Sequence, residues 1–111
     1  MANPLGFVNN GNMEKRKTLA SMCYRYLSCN KYLTFSTHKE RQESLILVIR
    51  NDGGSIRFEV IDLLNNETQS LDNPKTGEYV IPLKKGSKAK VLILASKAIG
   101  AYKIIRKITL D

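Results

Sequence analysis

The last quarter of the chain carries a dense set of basic side chains that could hold an anion. Residues 84–111 contain eight lysines and arginines against the single carboxylate of Asp111, and they account for nearly all of the net charge of +8. Such an asymmetric charge distribution is typical of proteins that bind anionic polymers or surfaces. The candidate contact residues are Lys84, Lys85, Lys88, Lys90, Lys103, Arg106 and Lys107.

Lysine outnumbers arginine in this basic set. A lysine-rich set favours general attraction to negative charge over bidentate recognition of particular bases. A competing interpretation is protective, because lysines on edge strands keep the sheets of different molecules from pairing. If the last two predicted strands pair with each other, the basic residues form one patch.

Side chains suited to catalysis or metal binding are sparse. Nucleophilic catalysis needs a base beside the nucleophile, and the only histidine, His38, lies in a charged connection at 38–43, HKERQE. The carboxylates in the middle of the chain show no spacing that selects a pair. Two cysteines and one histidine do not make a zinc site. We therefore predict no catalytic, cofactor-binding or metal site and no enzyme activity.

The two cysteines, Cys23 and Cys29, are too few for a disulfide framework. They are compatible with two reduced thiols or with one bridge. We favour reduced thiols, because a chain of this size can bury enough surface to fold without a bridge.

The length of 111 residues suits one domain, which we place at 12–111 after a flexible lead-in at 1–11. No apolar run reaches the roughly 18 residues that a membrane-spanning helix needs, so we expect no transmembrane segment. The N-terminus lacks the features of a signal peptide. The protein is expected in the cytoplasm as given, or outside the cell if a signal was removed.

The stretch from Asn12 to Leu27 predicts a helix. Asn12 can cap its first turn, and its apolar residues repeat at helical spacing. These residues are Leu19, Met22, Cys23, Tyr26 and Leu27. The alternative is a strand, because 23–27 is rich in residues that favour strands.

The rest of the chain predicts short antiparallel strands separated by turns. The predicted strands are 32–37, 44–50, 56–62, 78–83, 88–96 and 102–110. The Asn-Asp-Gly-Gly sequence at 51–54 predicts a hairpin turn, 84–87 predicts another turn, and Pro82 indicates an edge strand. The predicted fold class is mostly β, an antiparallel β-sandwich of jelly-roll or immunoglobulin-like type with a possible N-terminal helix.

The span from about Tyr32 to Ile108 resembles the small β-sandwich modules typified by bacterial pre-peptidase C-terminal domains. The matching pieces are YLTF, SLILVIRNDGGSIRFEVID, GEYVIPLKKG, KVLILAS and AIGAYKI. The matching residues are Gly53, Gly54, Gly77, Tyr79, Gly86, Gly100 and Tyr102. The resemblance implies a sandwich without catalysis, similar in fold to carbohydrate- and collagen-binding domains. The basic final strands depart from the pattern of these modules.

We expect a non-catalytic binding module that contacts an anionic or carbohydrate polymer, or a protein partner, through its basic C-terminal surface. One alternative is non-specific nucleic-acid binding through the same residues, which salt would weaken steeply. The other alternative is a structural subunit that forms homo-oligomers. The strands at 44–50 and 91–95 carry apolar residues on two faces, where an exposed sheet would have one polar face. Either the predicted helix or a second copy covers their outer faces, or both are central strands with some exposed apolar residues.

Overall fold

Five β-strands form all the regular secondary structure within residues 13–110, the part of the chain that this computed structural model describes. They are β1 (Met13–Ser36), β2 (Glu43–Asp62), β3 (Glu67–Asp72), β4 (Gly77–Leu83) and β5 (Lys88–Leu110). Every pair of neighbouring strands is antiparallel, and the order is β1-β5-β2-β3. β4 also pairs with β2, on the same side as β3.

The three long strands divide this sheet into two halves. In the β4 half, residues 43–49 of β2 pair with β4 on one side and with 102–108 of β5 on the other. In the β3 half, residues 57–62 of β2 pair with β3 and with 89–94 of β5. β1 follows β5 through both halves.

The two halves meet where each long strand is interrupted. The β2–β5 register shifts between Asn51 and Ser55, and the β1–β5 register shifts between Tyr24 and Leu27. Gly54 and Gly100 lie at this level with φ of 69° and 151°. A Cβ on either glycine would lie 1.9 Å from a backbone carbonyl oxygen. The strands therefore change course here, and we call this the bend end of the molecule.

The opposite end, which we call the loop end, carries the connections at 37–42, 63–66 and 84–87. Backbone hydrogen bonds join these connections to one another and to the strands. The N–H of Thr37 donates to the carbonyl of Ser87 at 2.9 Å, and the N–H of Gly86 donates to the carbonyl of His38 at 2.9 Å. The loop end is thus a packed surface with its own hydrogen bonds.

Both halves contribute to one buried apolar cluster. Leu45, Leu47 and Ile49 reach it from the β4 half, and Ile56, Phe58 and Val60 reach it from the β3 half. The rings of Phe58 and Tyr102, which belong to different halves, have centroids 5.7 Å apart. Burial of this cluster stabilises the fold through residues of both halves.

The predicted helix at Asn12–Leu27 is wrong over the residues that the structure describes, because Met13–Ser36 is one strand. Bulges explain the error. Register shifts between Thr18 and Ala20 and between Tyr24 and Leu27 each insert extra residues, so the alternation of apolar residues is broken into helix-like steps of three. Cys23 and Tyr26, two members of the supposed apolar face, are exposed.

The predicted hairpin at 51–54 is also wrong, because β2 continues through these residues as one strand of 20 residues. Asn and Gly permit the positive φ of a bend as readily as that of a turn. Other assignments are confirmed. Ile56, Phe58 and Val60 are buried, the 84–87 turn is present, and Pro82 lies on β4, which pairs with β2 alone.

The flexible lead-in predicted at 1–11 and the predicted cap at Asn12 lie outside the described residues. Within residues 13–110 the structure contains no helix of the length and apolarity needed to cross a bilayer.

Candidate interaction surfaces

The seven basic residues predicted to contact a partner do not form one patch. The two segments expected to be paired strands are the two parts of a single strand, β5, and they lie in different halves of the sheet. Lys88 and Lys90 belong to the β3 half, and Lys103 and Lys107 belong to the β4 half. Lys84 and Lys85 follow β4 at the loop end.

Carboxylates already bind three of the seven. Arg106 pairs with Glu43, Lys84 pairs with Glu67, and the Nζ of Lys107 lies 3.3 Å from Glu14. Lys90 lies over the ring of Tyr32, 4.5 Å from its centroid. The remaining three, Lys85, Lys88 and Lys103, are exposed and make no ion pair with a described residue.

Arg106 has a structural environment. It donates through Nε and Nη2 to Glu43, which is 1% exposed, and Nη2 also donates to the carbonyl of Ser36 at 2.8 Å. The backbone N–H of His38 donates to the same carboxylate. Arg106 and Glu43 together fix the connection at 37–42 to the sheet.

The structure adds cations that the sequence analysis overlooked. β1 places Arg16 opposite Lys107 and Lys17 opposite Arg106. In the connection at 37–42, the Cα of Lys39 lies 3.8 Å from where a Cβ of Gly86 would be. A strand predicted at 13–27 could have been paired with the last strand, which would have placed Arg16 and Lys17 beside it. The predicted helix placed these two residues away from the last strand.

A cavity of about 360 Å³ opens between the start of β3 and the end of β4. Its lining is mixed, with Val60, Leu83 and Ala89 at the apolar side, and the Lys84–Glu67 pair joins the two strands beside it. Pockets of this size suit small ligands.

Asp62, one of two carboxylates that line this cavity, is held by hydrogen bonds within the fold. Its oxygens accept hydrogen bonds from the Ser87 hydroxyl, from the Asn65 side chain, and from the backbone N–H groups of Leu64 and Asn65. The Ser87 hydroxyl, followed by Asn65, lowers the pKa of Asp62 to about 2. Asp62 is therefore an ionised acceptor that closes the 63–66 turn.

His38 also has a local role. It is exposed, and its Nδ1 accepts hydrogen bonds from the backbone N–H groups of Glu40 and Arg41. No group of three or more histidine, cysteine and acidic residues within the described part of the chain is arranged to hold a metal ion. The absence of enzyme activity stays a prediction.

The two edges of the sheet are open and oppositely charged. β1 pairs only with β5, so one side of a strand of 24 residues has no partner among residues 13–110. It carries five cations and one carboxylate. The opposite edge consists of β3 and β4, which carry the carboxylates Glu67, Asp72 and Glu78 and no cation.

Cys23 and Cys29 are free thiols on β1, and Cys23 is exposed. Six residues of extended strand span on the order of 15–20 Å, whereas a disulfide needs Cα atoms within about 7 Å. The bridge that the sequence left open is therefore incompatible with β1 as a strand. Any disulfide through these thiols would join two molecules.

No protein-family model matches the chain, and no curated protein matches it in sequence. Among solved structures, the chain is similar to one described under "Bacillus endospore appendages form a novel family of disulfide-linked pili", with a TM-score of 0.53. The identity is 10%, and the likeness covers 99% of this chain and 100% of that chain. At this identity the likeness concerns the fold alone. The resemblance to pre-peptidase C-terminal modules stays a prediction.

Proposed function

We propose that the protein is a non-catalytic structural subunit that assembles head to tail with copies of itself. The observation that carries the proposal is the pair of open edges, basic on β1 and acidic on β3 and β4. Unpaired strand edges are templates for pairing with another chain. Opposite charges on the two edges favour contact between unlike edges over contact between two copies of β1.

Strand polarity agrees with this contact. Each half of the sheet contains four strands that alternate in direction. A copy displaced sideways in the same orientation therefore presents its β3 and β4 antiparallel to β1. Antiparallel pairs are the more stable arrangement per residue, and both halves can extend in this way at once.

The register identifies a specific contact. Asp72 lies opposite Arg57, Arg57 opposite Leu94, and Leu94 opposite Asn30, so one line across the β3 half joins the two edges. A neighbouring copy placed along this line brings its Asp72 beside Asn30 and Lys31. Lys31 is exposed and is the next residue along β1, on the opposite face of the strand from Asn30, so it adds positive charge near Asp72 without lying directly opposite it.

A more specific assignment of the fold is consistent with open edges at β1 and at β3 and β4. We propose that the two halves are the facing layers of a jelly-roll sandwich. The strand orders β1-β5-β2-β4 and β1-β5-β2-β3, joined through bends in the long strands, support this assignment. A jelly roll leaves edges open, and a closed barrel does not.

The solved structure to which this chain is similar is described under a title on disulfide-linked pili. That title supports assembly, but Cys23 and Cys29 of this chain lie on the same edge. Head-to-tail pairing brings neither cysteine to a cysteine of the next copy. We propose that assembly needs no disulfide and that the variant Cys23→Ser/Cys29→Ser assembles as the wild type does.

Sedimentation velocity over a concentration series tests the proposal. We expect the wild type to form species that grow with concentration under reducing conditions. In the acid-edge variant, Asp72→Lys/Glu78→Lys, each junction exchanges attraction for repulsion. We expect association about 5–30-fold weaker, equivalent to about 1–2 kcal/mol per junction. A wild type that remains monomeric at all concentrations would overturn the proposal.

A second candidate function is non-specific binding of an anionic polymer, including a nucleic acid. Three exposed lysines at the loop end, Lys39, Lys85 and Lys88, favour it. Polyanion binding would fall steeply as salt rises. Glycan or protein binding through the basic surface stays a prediction of the sequence analysis.

A further inference from the structure

The loop end gathers exposed lysines from two separate parts of the chain. The hydrogen bond from Gly86 N–H to the His38 carbonyl, 2.9 Å, joins the connection at 37–42 to the turn at 84–87. It brings Lys39 close to Lys85, and Lys88 begins the strand that follows. We call Lys39, Lys85 and Lys88 the loop-end lysines. They form no ion pair with a carboxylate in the described part of the chain.

A second basic group adjoins this cluster. The N–H of Thr109 donates to the Gln42 carbonyl at 3.0 Å, so the connection at 37–42 also borders the end of β5. β1 lies beside that end of β5 and contributes exposed Lys15 and Lys17. One molecule thus offers about five unpaired cations on one end, which is few for tight binding on its own.

Assembly would multiply this surface, and the following step rests on the proposed function. In head-to-tail antiparallel pairing, every copy keeps its loop end on the same side of the extended sheet. Four strands at about 4.8 Å give a repeat of roughly 19 Å per copy. A nucleic-acid strand spaced as in a duplex carries a phosphate about every 3.4 Å, or roughly five to six per copy. The number of phosphates per copy is therefore similar to the number of unpaired cations that each copy offers at its loop end.

We propose that an assembled row binds a linear phosphate polymer along its loop-end lysines, and that polymer binding and assembly stabilise each other. Each copy carries a net charge of +8, so neighbouring copies repel one another at long range. A polymer that crosses several copies neutralises this repulsion. Linkage requires that assembly tighten polymer binding by the same factor as the polymer tightens assembly.

Polymer length provides the test. Fluorescent oligothymidylates of 5 and 30 nucleotides are titrated at low salt into the wild type and the acid-edge variant. Contacts with several joined copies typically raise avidity by about 10²–10⁴. We expect the 30-mer to bind the wild type at least tenfold more tightly than the 5-mer. The added positive charge of the acid-edge variant favours the longer polymer, so a ratio that falls towards its statistical value there reports the loss of assembly and not the change of charge.

Matched charge removals locate the surface. The variant Lys39→Gln/Lys85→Gln/Lys88→Gln should lose most 30-mer binding. The control Lys75→Gln/Lys97→Gln/Lys103→Gln removes the same charge from exposed residues nearer the bend end and should bind almost as the wild type does. Equal losses in the two triple variants, or an equal length ratio in the wild type and the acid-edge variant, would overturn the inference.

Two further measurements distinguish a failure of this inference from a failure of the proposed function. Sedimentation without polymer reports assembly alone, so a monomeric wild type there removes the proposed function and the inference built on it. Assembly that persists while the triple variants bind alike removes the inference only. Inorganic polyphosphate, compared with oligothymidylate at equal charge, distinguishes recognition of phosphate alone from recognition of a nucleic acid. Equal binding assigns recognition to phosphate alone, whereas binding to neither polymer contradicts the inference.

Discussion

At the scale of single residues, the ion pair between Glu43 and Arg106 is the most deeply buried charge interaction among the described residues. Glu43 is 1% exposed, whereas the Arg106 side chain is 21% exposed. Buried ion pairs bring little net stability, but removing one partner leaves an uncompensated charge. The pair therefore matters most for holding the connection at 37–42 in place, because the same carboxylate accepts from His38 N–H.

We predict that Glu43→Ala lowers the free energy of unfolding by about 2–4 kcal/mol, since Arg106 loses its carboxylate and is partly screened by water. Urea denaturation measures the change. Glu40→Ala is the matched control, because Glu40 is exposed on the same connection, and its effect should stay within about 0.5 kcal/mol. Equal effects of the two substitutions would contradict this account.

Asp62 gives a prediction about pH. The hydroxyl of Ser87, then Asn65, lowers the pKa of Asp62 to about 2 in the folded protein, compared with about 3.9 in an unfolded chain. A lowered pKa stabilises the fold above the unfolded value, and this stabilisation disappears as pH falls from about 4 to 2. The stability difference between the wild type and Asp62→Asn should therefore be largest above pH 4 and smallest near pH 2.

Urea midpoints at several pH values measure that difference. The other carboxylates contribute the same pH dependence to both proteins, so their contribution cancels. Ser87→Ala removes the main donor to Asp62 and should reduce the pH dependence of the difference. If the wild type and Asp62→Asn differ by the same amount from pH 6 to pH 2, the assignment of Asp62 to the turn is wrong.

At the scale of elements, the bends of β2 and β5 depend on glycine. A Cβ at Gly54 would lie 1.9 Å from the Lys97 carbonyl oxygen, and a Cβ at Gly100 would lie 1.9 Å from that of Arg50. Both carbonyls lie beside β2–β5 pairs, so a shift large enough to relieve either contact would disturb that pairing.

We predict that Gly54→Ala or Gly100→Ala costs about 2–4 kcal/mol of unfolding free energy, from the strained φ together with the clash. Gly86→Ala is the control. Its φ of 61° is similar to the 69° of Gly54, but the nearest atom would be 3.8 Å away. It should cost only about 1–2 kcal/mol. Thermal or urea unfolding distinguishes these values, and equal losses would show that φ alone matters.

The strand segments after Leu27 could be predicted because apolar residues alternate there, as at Ile56, Phe58 and Val60. β1 could not, because its bulges replace steps of two by steps of three and thereby imitate a helix. The Asn-Asp-Gly-Gly sequence permits positive φ, but it does not determine whether the chain reverses or bends. That choice is made by long-range pairing with β5, which a local pattern does not contain.

Long-range pairing also limited what the sequence could predict about the basic surface. The basic character of the chain end is a property of composition and was predictable. The grouping of those residues was not, because it depends on β5 passing through both halves of the sheet. The carboxylates that bind Lys84, Arg106 and Lys107 come from β3, β2 and β1, and no spacing along the sequence relates them.

At the scale of the whole molecule, the central claim is that unlike edges join. It is tested most directly by two variants, each of which changes the charge of one edge. The acid-edge variant, Asp72→Lys/Glu78→Lys, has two basic edges. The basic-edge variant, Arg25→Glu/Lys31→Glu, lowers the positive charge of β1 while β3 and β4 remain acidic. Each should associate with itself more weakly than the wild type does, because each then lacks a pair of oppositely charged edges.

Mixing restores one complementary pair of edges, because the basic β1 of the acid-edge variant can meet the acidic β3 and β4 of the basic-edge variant. Sedimentation velocity of each variant alone and of an equimolar mixture is the measurement. We expect weaker self-association of each variant alone than of the wild type, and mixed pairs of the two variants in the mixture at concentrations where each alone is monomeric. A mixture that remains monomeric under conditions where the wild type assembles, or an acid-edge variant that associates as strongly as the wild type, would contradict head-to-tail joining.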